Sequence, residues 1–315
     1  MRIAVIGAGG VGGYFGGRLA QAGVDVAFVA RGENLRALQR DGLRVESIAG
    51  DFVLPRVTVG ADPRELGAAD VVLVCVKGWQ LEGAAADMGP LLHAGTCLVP
   101  LLNGVEAVTL LARAHGAGRV IGGSCRIMSF IAAPGHIRHA AIAPTITIGE
   151  MDGRSSDRVG RLRDVLARAA GVAVDVAPDI GAALWRKFMF ITAWSGVGAA
   201  TGQAIGDIRG RPDERARLEG AMREIQRLAA ANGVRLADNE VVEAMAFIDR
   251  VAPDGTTSMQ RDVAEGRPSE LESLTGAVVS LADVAGLAVP LNAAIYQRLL
   301  PLERRARAKA DGGAT

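Results

Sequence analysis

The residues best suited to chemistry stand at the start of the chain, where Gly7-Ala8-Gly9-Gly10-Val11-Gly12 gives the spacing GxGxxG directly after the strand-like run Arg2 to Ile6 and ahead of a helical stretch. In that setting Gly7 makes a tight turn, Gly9 lets the backbone approach a pyrophosphate, and Gly12 permits close packing of helix on strand, with the phosphates at the helix N-terminus. A site selective for NAD would place an acidic residue about 20 residues further on, at the end of the second strand. The sequence there reads Phe28-Val29-Ala30-Arg31. Arg31 offers a charge-assisted partner to a 2′-phosphate, so NADP(H) is favoured over NAD(H). Glu33 falls in the next helix start and is expected to point away.

Other reactive side chains point to less. Cys75, Cys97 and Cys125 are too few and too evenly spread for a disulfide framework or a zinc site. His136 and His139 lie three apart in a strand-like segment, which puts them on opposite faces, and no metal site is expected. Tyr14 and Arg18 lack the lysine of a Tyr-x-x-x-Lys reductase and sit in the helix after the glycine loop.

These residues need a frame to position them. At 315 residues the chain suggests two domains, and with 50% apolar and 22% charged residues it is globular rather than disordered. Lys+Arg 35 against Asp+Glu 34 leaves +1, which builds in no attraction to nucleic acid or an anionic membrane; a small molecule is the expected partner. No apolar run reaches the ~20 residues of a spanning helix, and no secretory signal is apparent. A cytoplasmic protein is expected.

The first half alternates β-branched runs with small-residue helical stretches, the pattern of a parallel sheet with crossover helices. Strands are expected at Arg2 to Ile6, Val24 to Val29, Val71 to Val76, Thr96 to Leu101 and Val120 to Ile131. Antiparallel pairing at a sheet edge is expected for the alternating segment Ile137 to Gly149, then a helix at Ser156 to Ala170 and a strand at Val172 to Val176. After Pro178 helical periodicity takes over: Leu218, Met222, Ile225, Ala229; Val241, Met245, Ile248; Leu271, Leu274, Val278, Leu281. Breaks are expected at Gly210 to Pro212, at Asn232-Gly233 and around Pro253-Asp254-Gly255, and the tail from Arg304 reads as frayed and solvated. The expected fold is α/β, with an N-terminal Rossmann-type doubly wound sheet over residues 1–178, binding NADP, and a C-terminal all-helical domain over 179–315 holding the substrate and catalytic groups. Its apolar helices suggest a homodimer.

Several spaced motifs, in order, resemble the ketopantoate reductases (2-dehydropantoate 2-reductases). Besides the glycine loop and Arg31-Gly32 they are Val76-Lys77-Gly78-Trp79-Gln80, Leu102-Asn103-Gly104-Val105, Leu184-Trp185-Arg186-Lys187-Phe188, Ser258-Met259-Gln260-Arg261-Asp262 and Gly266-Arg267-Pro268-Ser269-Glu270, with Pro290 and Ile295-Tyr296 near the end. The resemblance implies a cleft between a Rossmann and a helical domain, where NADPH reduces a 2-oxo acid to a 2-hydroxy acid. The specific reaction implied is 2-dehydropantoate to (R)-pantoate, in pantothenate and coenzyme A biosynthesis.

The resemblance also assigns roles. Lys187 is the proton donor and electrophilic stabiliser, and Glu270 its acidic partner near the substrate. Lys77 and Asn103, at the carboxyl ends of strands, position the nicotinamide and the reacting carbonyl, and Ser258 binds the substrate carboxylate or hydroxyl. Read as residues alone, these positions keep plainer alternatives. Lys187 also suits a surface lysine, Glu270 a first-turn acid behind a Ser269 cap, Asn103-Gly104 a turn, and Asp262 an ion pair rather than a catalyst.

One departure bears on the substrate. The family places asparagines four and eight residues after the lysine, where they help bind the oxo acid; this chain has Ile191 and Ser195. If the segment is helical, Lys187, Ile191 and Trp194 share a face. A more apolar pocket and a different or bulkier oxo compound are the alternative expectation within the same fold. A non-catalytic NADP-binding redox sensor is the alternative outside enzymes, and it would need none of Lys187, Glu270, Lys77 or Asn103.

Overall fold

The structure is a computed structural model that describes residues 1–312. The chain divides into two compact units: Met1–Leu102 with Glu106–Ala183, and Asn103–Val105 with the chain from Leu184 onward. The first unit runs β1 (Arg2–Ile6), α1 (Gly10–Gln21), β2 (Asp25–Val29), α2 (Gly32–Asp41), β3 (Leu43–Ser47), β4 (Phe52–Leu54), β5 (Thr58–Gly60), β6 (Val71–Val74), α3 (Leu81–Asp87), β7 (Cys97–Pro100), α4 (Glu106–His115), β8 (Gly122–Arg126), β9 (Ser129–Ala133), β10 (His136–His139), β11 (Thr145–Gly149), α5 (Asp157–Leu166) and β12 (Ala173–Val176).

Its centre is a five-stranded parallel sheet in the order β5-β2-β1-β6-β7. Successive residues of each strand face opposite sides, so Ile3, Val5, Phe28, Val71 and Leu73 enter one core and Ala4, Ile6, Ala27, Val72 and Val74 another. The first core takes Tyr14, Phe15 and Leu19 of α1, and the second takes Leu81, Ala84 and Ala85 of α3 with Ala107 and Leu111 of α4. Helices therefore cover both faces, and the strand order reverses between β1 and β6, the switch point beside which such sheets bind ligands. This is the doubly wound, Rossmann-type sheet.

Two smaller sheets complete the unit, β4-β3-β10-β9 and β12-β11-β8. They correct three expectations. The run Val120 to Ile131 is not one strand but β8 and β9, which belong to different sheets. The segment Ile137 to Gly149 is likewise split. Its strands β10 and β11 pair antiparallel with β9 and β8, but each occupies an interior position, because β3 and β12 pair parallel on the other side. The short strands β3, β4 and β5 were not foreseen. Leu43–Ser47 buries Leu43 and Val45 but exposes Arg44, and Phe52–Leu54 and Thr58–Gly60 are only three residues each. No helix among the described residues is long and apolar enough to cross a membrane.

The second unit is helical among the described residues: α6 (Ile180–Thr201, which begins in the first unit), α7 (Ile205–Gly210), α8 (Pro212–Ala231), α9 (Glu240–Ile248), α10 (Ser258–Ala264), a π-helical turn (Glu272–Gly276), α11 (Ala277–Ala285) and α12 (Pro290–Gly312). Leu218, Met222, Ile225, Ala229, Val241, Met245, Ile248, Leu271, Leu274 and Val278 are buried, as their periodicity requires. The tail corrects the reading of a frayed end. α12 continues past Arg304 with Glu303 and Ala306 buried, while the expected fraying of Gly313, Ala314 and Thr315 lies outside the described residues.

Candidate active site

The glycine loop has a different steric reason at each position. Gly7 has φ +97°, and a Cβ there would lie 2.9 Å from the carbonyl oxygen of Cys75. A Cβ on Gly12 would lie 2.2 Å from the Gly7 oxygen and 2.8 Å from Val5. Gly9 is the opposite case: it is the N-cap of α1, and nothing lies within 4 Å of its Cβ position. Gly10 packs on the Ser129 carbonyl. Ala8 is buried and Val11 half-buried. Two glycines thus hold the turn shut against the sheet, and the third leaves space beside a helix N-terminus that no side chain caps. That vacated space and that positive helix end fit the pyrophosphate of a dinucleotide.

The backbone N–H groups of Gly7 and Ala8 donate to the Val29 carbonyl at 3.1 and 3.4 Å, tying the loop to β2. Asn34 of α2 fixes it from above, donating to the Ala8 carbonyl at 2.9 Å and accepting from the Gly135 N–H at 2.8 Å. Nothing in the local sequence marks Asn34, since both partners are backbone groups brought near by the fold. Arg31 is the N-cap residue of α2, mostly exposed, with its guanidinium 3.0 Å from Asp87. A surface pair of this kind is weak and leaves the cation open to a phosphate. Glu33 pairs with Arg36 in the first turn of α2, facing solvent.

Lys77 follows β6. Its backbone N–H donates to Gln80 Oε1 at 3.2 Å, and its ammonium lies 5.9 Å from the centre of the Trp79 ring. Beneath this corner, burial pushes the Cys75 thiol well above its ordinary value.

In the second unit the structure brings Asn103 and Glu270 together. Asn103 Nδ2 donates to Glu270 Oε2 at 3.1 Å, and Glu270 is 3% exposed. Gly104, at φ +96°, lets the loop lie on the π-helical turn, where a Cβ would come 2.9 Å from the Ser273 carbonyl. Ser269, directly before Glu270, makes the side-chain-to-backbone bond of a capping serine. Its hydroxyl accepts from Leu271 N–H at 3.3 Å, and the chain enters the π-helical turn directly. Tyr296 donates to the Glu272 carboxylate of that turn, and burial together with this bond raises its phenol above the usual value.

Lys187 is half-buried on α6, between the buried Trp185 and Phe188, which stack edge to face with centroids 5.5 Å apart. Helical geometry puts Lys187, Ile191 and Trp194 on one face. Ile191 is half-buried, whereas Ser195 is 1% exposed and its Oγ finds no hydrogen-bond partner among the described residues. Ser258 is exposed at the start of α10, behind the Thr257 cap. Asp262 pairs with Arg267 at 2.8 Å, the ionic role its sequence setting suggested. His139 bonds Ser47 and the Ile142 carbonyl, and His136 faces Glu46. Among the described residues no group of three or more His, Cys, Asp or Glu side chains is placed to hold a metal ion.

Comparison with known proteins adds the following. The family described as Ketopantoate reductase PanE/ApbA matches residues 3–153, and its C-terminal counterpart matches 179–303. A 2-dehydropantoate 2-reductase of Mesorhizobium japonicum is 31% identical over 330 residues, covering 96% of this chain and 99% of its own. The crystal structure of a PanE/ApbA family ketopantoate reductase from Ralstonia eutropha superposes with TM-score 0.88 at 30% identity, covering 98% of this chain and 100% of its own. A D-mandelate dehydrogenase solved with NADH and anilino(oxo)acetate also reaches TM-score 0.88, covering 98% and 99% of the two chains, but at 18% identity it shares the fold alone.

Proposed function

This chain belongs to the ketopantoate reductase family and is an NADP-dependent oxidoreductase acting on a 2-oxo acid, and from that premise we propose that its substrate is 2-dehydropantoate, reduced to (R)-pantoate in pantothenate and coenzyme A biosynthesis. The observation that carries this reading is the buried Glu270 carboxylate held by the Asn103 side chain, on the unit that also presents Lys187.

Gly7, Ala8, Gly9, Gly10, Val11 and Gly12 would hold the pyrophosphate of NADPH, Arg31 its 2′-phosphate, and Lys77 and Asn103 its reactive end. When bound, the nicotinamide supplies the hydride. The chain supplies the rest. Lys187 Nζ holds the proton that the carbonyl oxygen takes as it becomes an alcohol, and its charge stabilises the oxygen as negative charge develops. Glu270 accepts from the substrate hydroxyl or from Lys187 and keeps the ammonium turned to its task. Asn103 fixes one Glu270 oxygen, and Ser258 grips the carboxylate of the oxo acid.

Ile191 favours a second reading, in which the oxo acid is more apolar than 2-dehydropantoate. A half-buried branched alkyl group one turn from Lys187 offers no hydrogen bond to a hydroxylated substrate but packs well on a hydrocarbon one. The experiment is NADPH oxidation by purified protein with 2-dehydropantoate beside benzoylformate and branched aliphatic 2-oxo acids, repeated with NADH. Turnover led by 2-dehydropantoate and abolished in Lys187→Ala, with NADPH binding retained, supports the first reading. Preference for the apolar acids transfers the same machinery to the second.

A further inference from the structure

We propose that Glu303 of α12, acting through Ser269, is a positioning residue for the Glu270 carboxylate. This rests on the role given to Glu270 above. Ser269, the residue before Glu270, is fully buried, and Glu303 is 2% exposed. The Ser269 backbone N–H donates to both Glu303 oxygens, at 3.1 and 3.0 Å, and its hydroxyl donates to Oε2 at 2.6 Å. Arg307, one turn along α12, pairs with Glu303 Oε1 at 2.7 Å and donates to the Ser269 carbonyl at 3.1 Å. Both backbone polar groups and the side chain of one residue are therefore held by a single helix.

The hold continues across Glu270. Ser269 Oγ accepts from the Leu271 N–H at 3.3 Å, and the Glu270 carbonyl accepts from Leu274 N–H at 3.0 Å as the chain enters the π-helical turn. Glu270 thus has a clamped neighbour on each side, which leaves little beyond its own side-chain torsions to set where its carboxylate lies. Burying a carboxylate is expensive unless its oxygens are satisfied. An apolar side chain would dock α12 without that expense, so a carboxylate spent on the backbone of one residue points to a demand for placement. Arg307 and the Ser269 donors meet the expense.

The same helix carries an internal control. At the other end of α12, Glu224 of α8, 3% exposed, accepts from the N–H groups of Leu291 and Asn292 and from Asn292 Nδ2 at 2.8 to 3.0 Å. Glu224→Gln is the same chemical lesion in the same role of helix anchor, remote in sequence from Glu270. Glu303→Gln turns an N–H donor toward Ser269 or Arg307, both donors themselves, and shifts the segment.

The test compares E303Q, E224Q, S269A and E270Q in the full-length protein by thermal melting, by kcat with 2-dehydropantoate at saturating NADPH, and by the Asn103 side-chain amide resonance in an asparagine-labelled sample. Expected is a similar fall in melting temperature for E303Q and E224Q. Only E303Q should lose about 10- to 100-fold in kcat and move the Asn103 resonance, with S269A shifting both in the same direction by less. E303Q added to E270Q should cost nothing further, because both act through one group. Should E303Q fail to fold, S269A decides by the same two readouts. Wild-type kcat and an unmoved Asn103 resonance in E303Q or, in its place, S269A, beside an impaired E270Q, overturn the positioning role alone. Wild-type kcat in E270Q overturns the reading of Glu270 on which it rests.

Discussion

Asn103 and Glu270, separated by 167 positions, meet through a 3.1 Å hydrogen bond from the Asn103 amide to the Glu270 carboxylate. The Asn103–Val105 segment follows the last strand of the parallel sheet yet clusters with the helical unit, and this bond and the contact of Gly104 with Ser273 show why. The amide donor satisfies one oxygen of a buried side chain that would otherwise cost free energy to bury, and it fixes that oxygen in place. Asparagine suits this better than aspartate, which would set two negative charges side by side.

Asn103→Ala should therefore lower kcat/KM for the 2-oxo acid by roughly 10- to 150-fold, the equivalent of the ~1.5–3 kcal/mol that a hydrogen bond to a charged group contributes. Steady-state kinetics at saturating NADPH measure it. Unchanged kcat/KM would mean that Glu270 is held well enough without Asn103.

Gly9 and Gly12 should separate binding from folding. At Gly12 a Cβ would lie 2.2 Å from the Gly7 oxygen, so Gly12→Ala should lower the melting temperature and weaken NADPH binding together. At Gly9 there is nothing within 4 Å to strike, so Gly9→Ala should melt like the wild type while losing about tenfold or more in NADPH affinity. Calorimetric titration beside thermal melting checks both. Wild-type NADPH affinity in Gly9→Ala would remove the pyrophosphate from this loop.

The turn geometry of the glycine loop and the helical second half were legible because each depends on local chemistry: glycine spacing after a strand and a 3.6-residue apolar period. The split of Val120 to Ile131 was not, because Ile127 and Met128 between the two strands are apolar and carry no turn residue, and only pairing with β10 and β11 sends the halves to different sheets. Leu43–Ser47 hid for a related reason, since a five-residue strand with Arg44 and Glu46 facing outward resembles a polar loop. Glu303 and Arg307 flank the start of a basic stretch that reads as solvated from Arg304, and nothing local marks either one. Ser269, which Glu303 and Arg307 bury, lies 34 residues earlier in the chain. Asn34 was unreadable for the same cause.

Arg31 and Asp87 form an exposed pair at 3.0 Å. Asp87→Ala should leave stability within about 0.5 kcal/mol, as surface pairs do, and tighten NADPH by releasing the cation. Arg31→Ala should cost NADPH more than NADH, and the difference should shrink as salt rises. Dissociation constants for both cofactors at two salt concentrations test the pair of variants. Equal losses for the two cofactors would detach Arg31 from the 2′-phosphate.

Glu150 gives a pH dependence that is independent of catalysis. The Arg158 guanidinium, aided by the Ser156 hydroxyl, holds its carboxyl below the ordinary 4.5. A depressed folded-state value stabilises the fold at pH above the unfolded value, and the contribution disappears as pH falls through the folded value. Glu150→Gln should accordingly be less stable than the wild type by on the order of 1–2 kcal/mol at pH 7, with the gap closing below pH 4.5. Urea unfolding at a series of pH values reads the gap directly. A constant gap would show that the carboxylate's charge is not what stabilises this corner.

Ile191 and Ser195 should respond oppositely to restoration of the family's asparagines. Ile191 is half-buried on the Lys187 face of α6, so a polar side chain there is not sealed from water. Ile191→Asn should raise kcat/KM for 2-dehydropantoate relative to apolar 2-oxo acids by about tenfold, since one good hydrogen bond to a substrate hydroxyl is worth ~0.5–1.5 kcal/mol and the lost alkyl contact penalises the apolar acids by a similar amount. Ser195 is 1% exposed, inside the helical core. Ser195→Asn adds two heavy atoms where none fit and should cost about 1–3 kcal/mol of stability with little gain in selectivity. Competition assays with paired substrates, beside urea unfolding of each variant, distinguish the two positions. If Ser195→Asn alone shifted selectivity without loss of stability, the determinant would lie one turn further along α6 than its burial indicates.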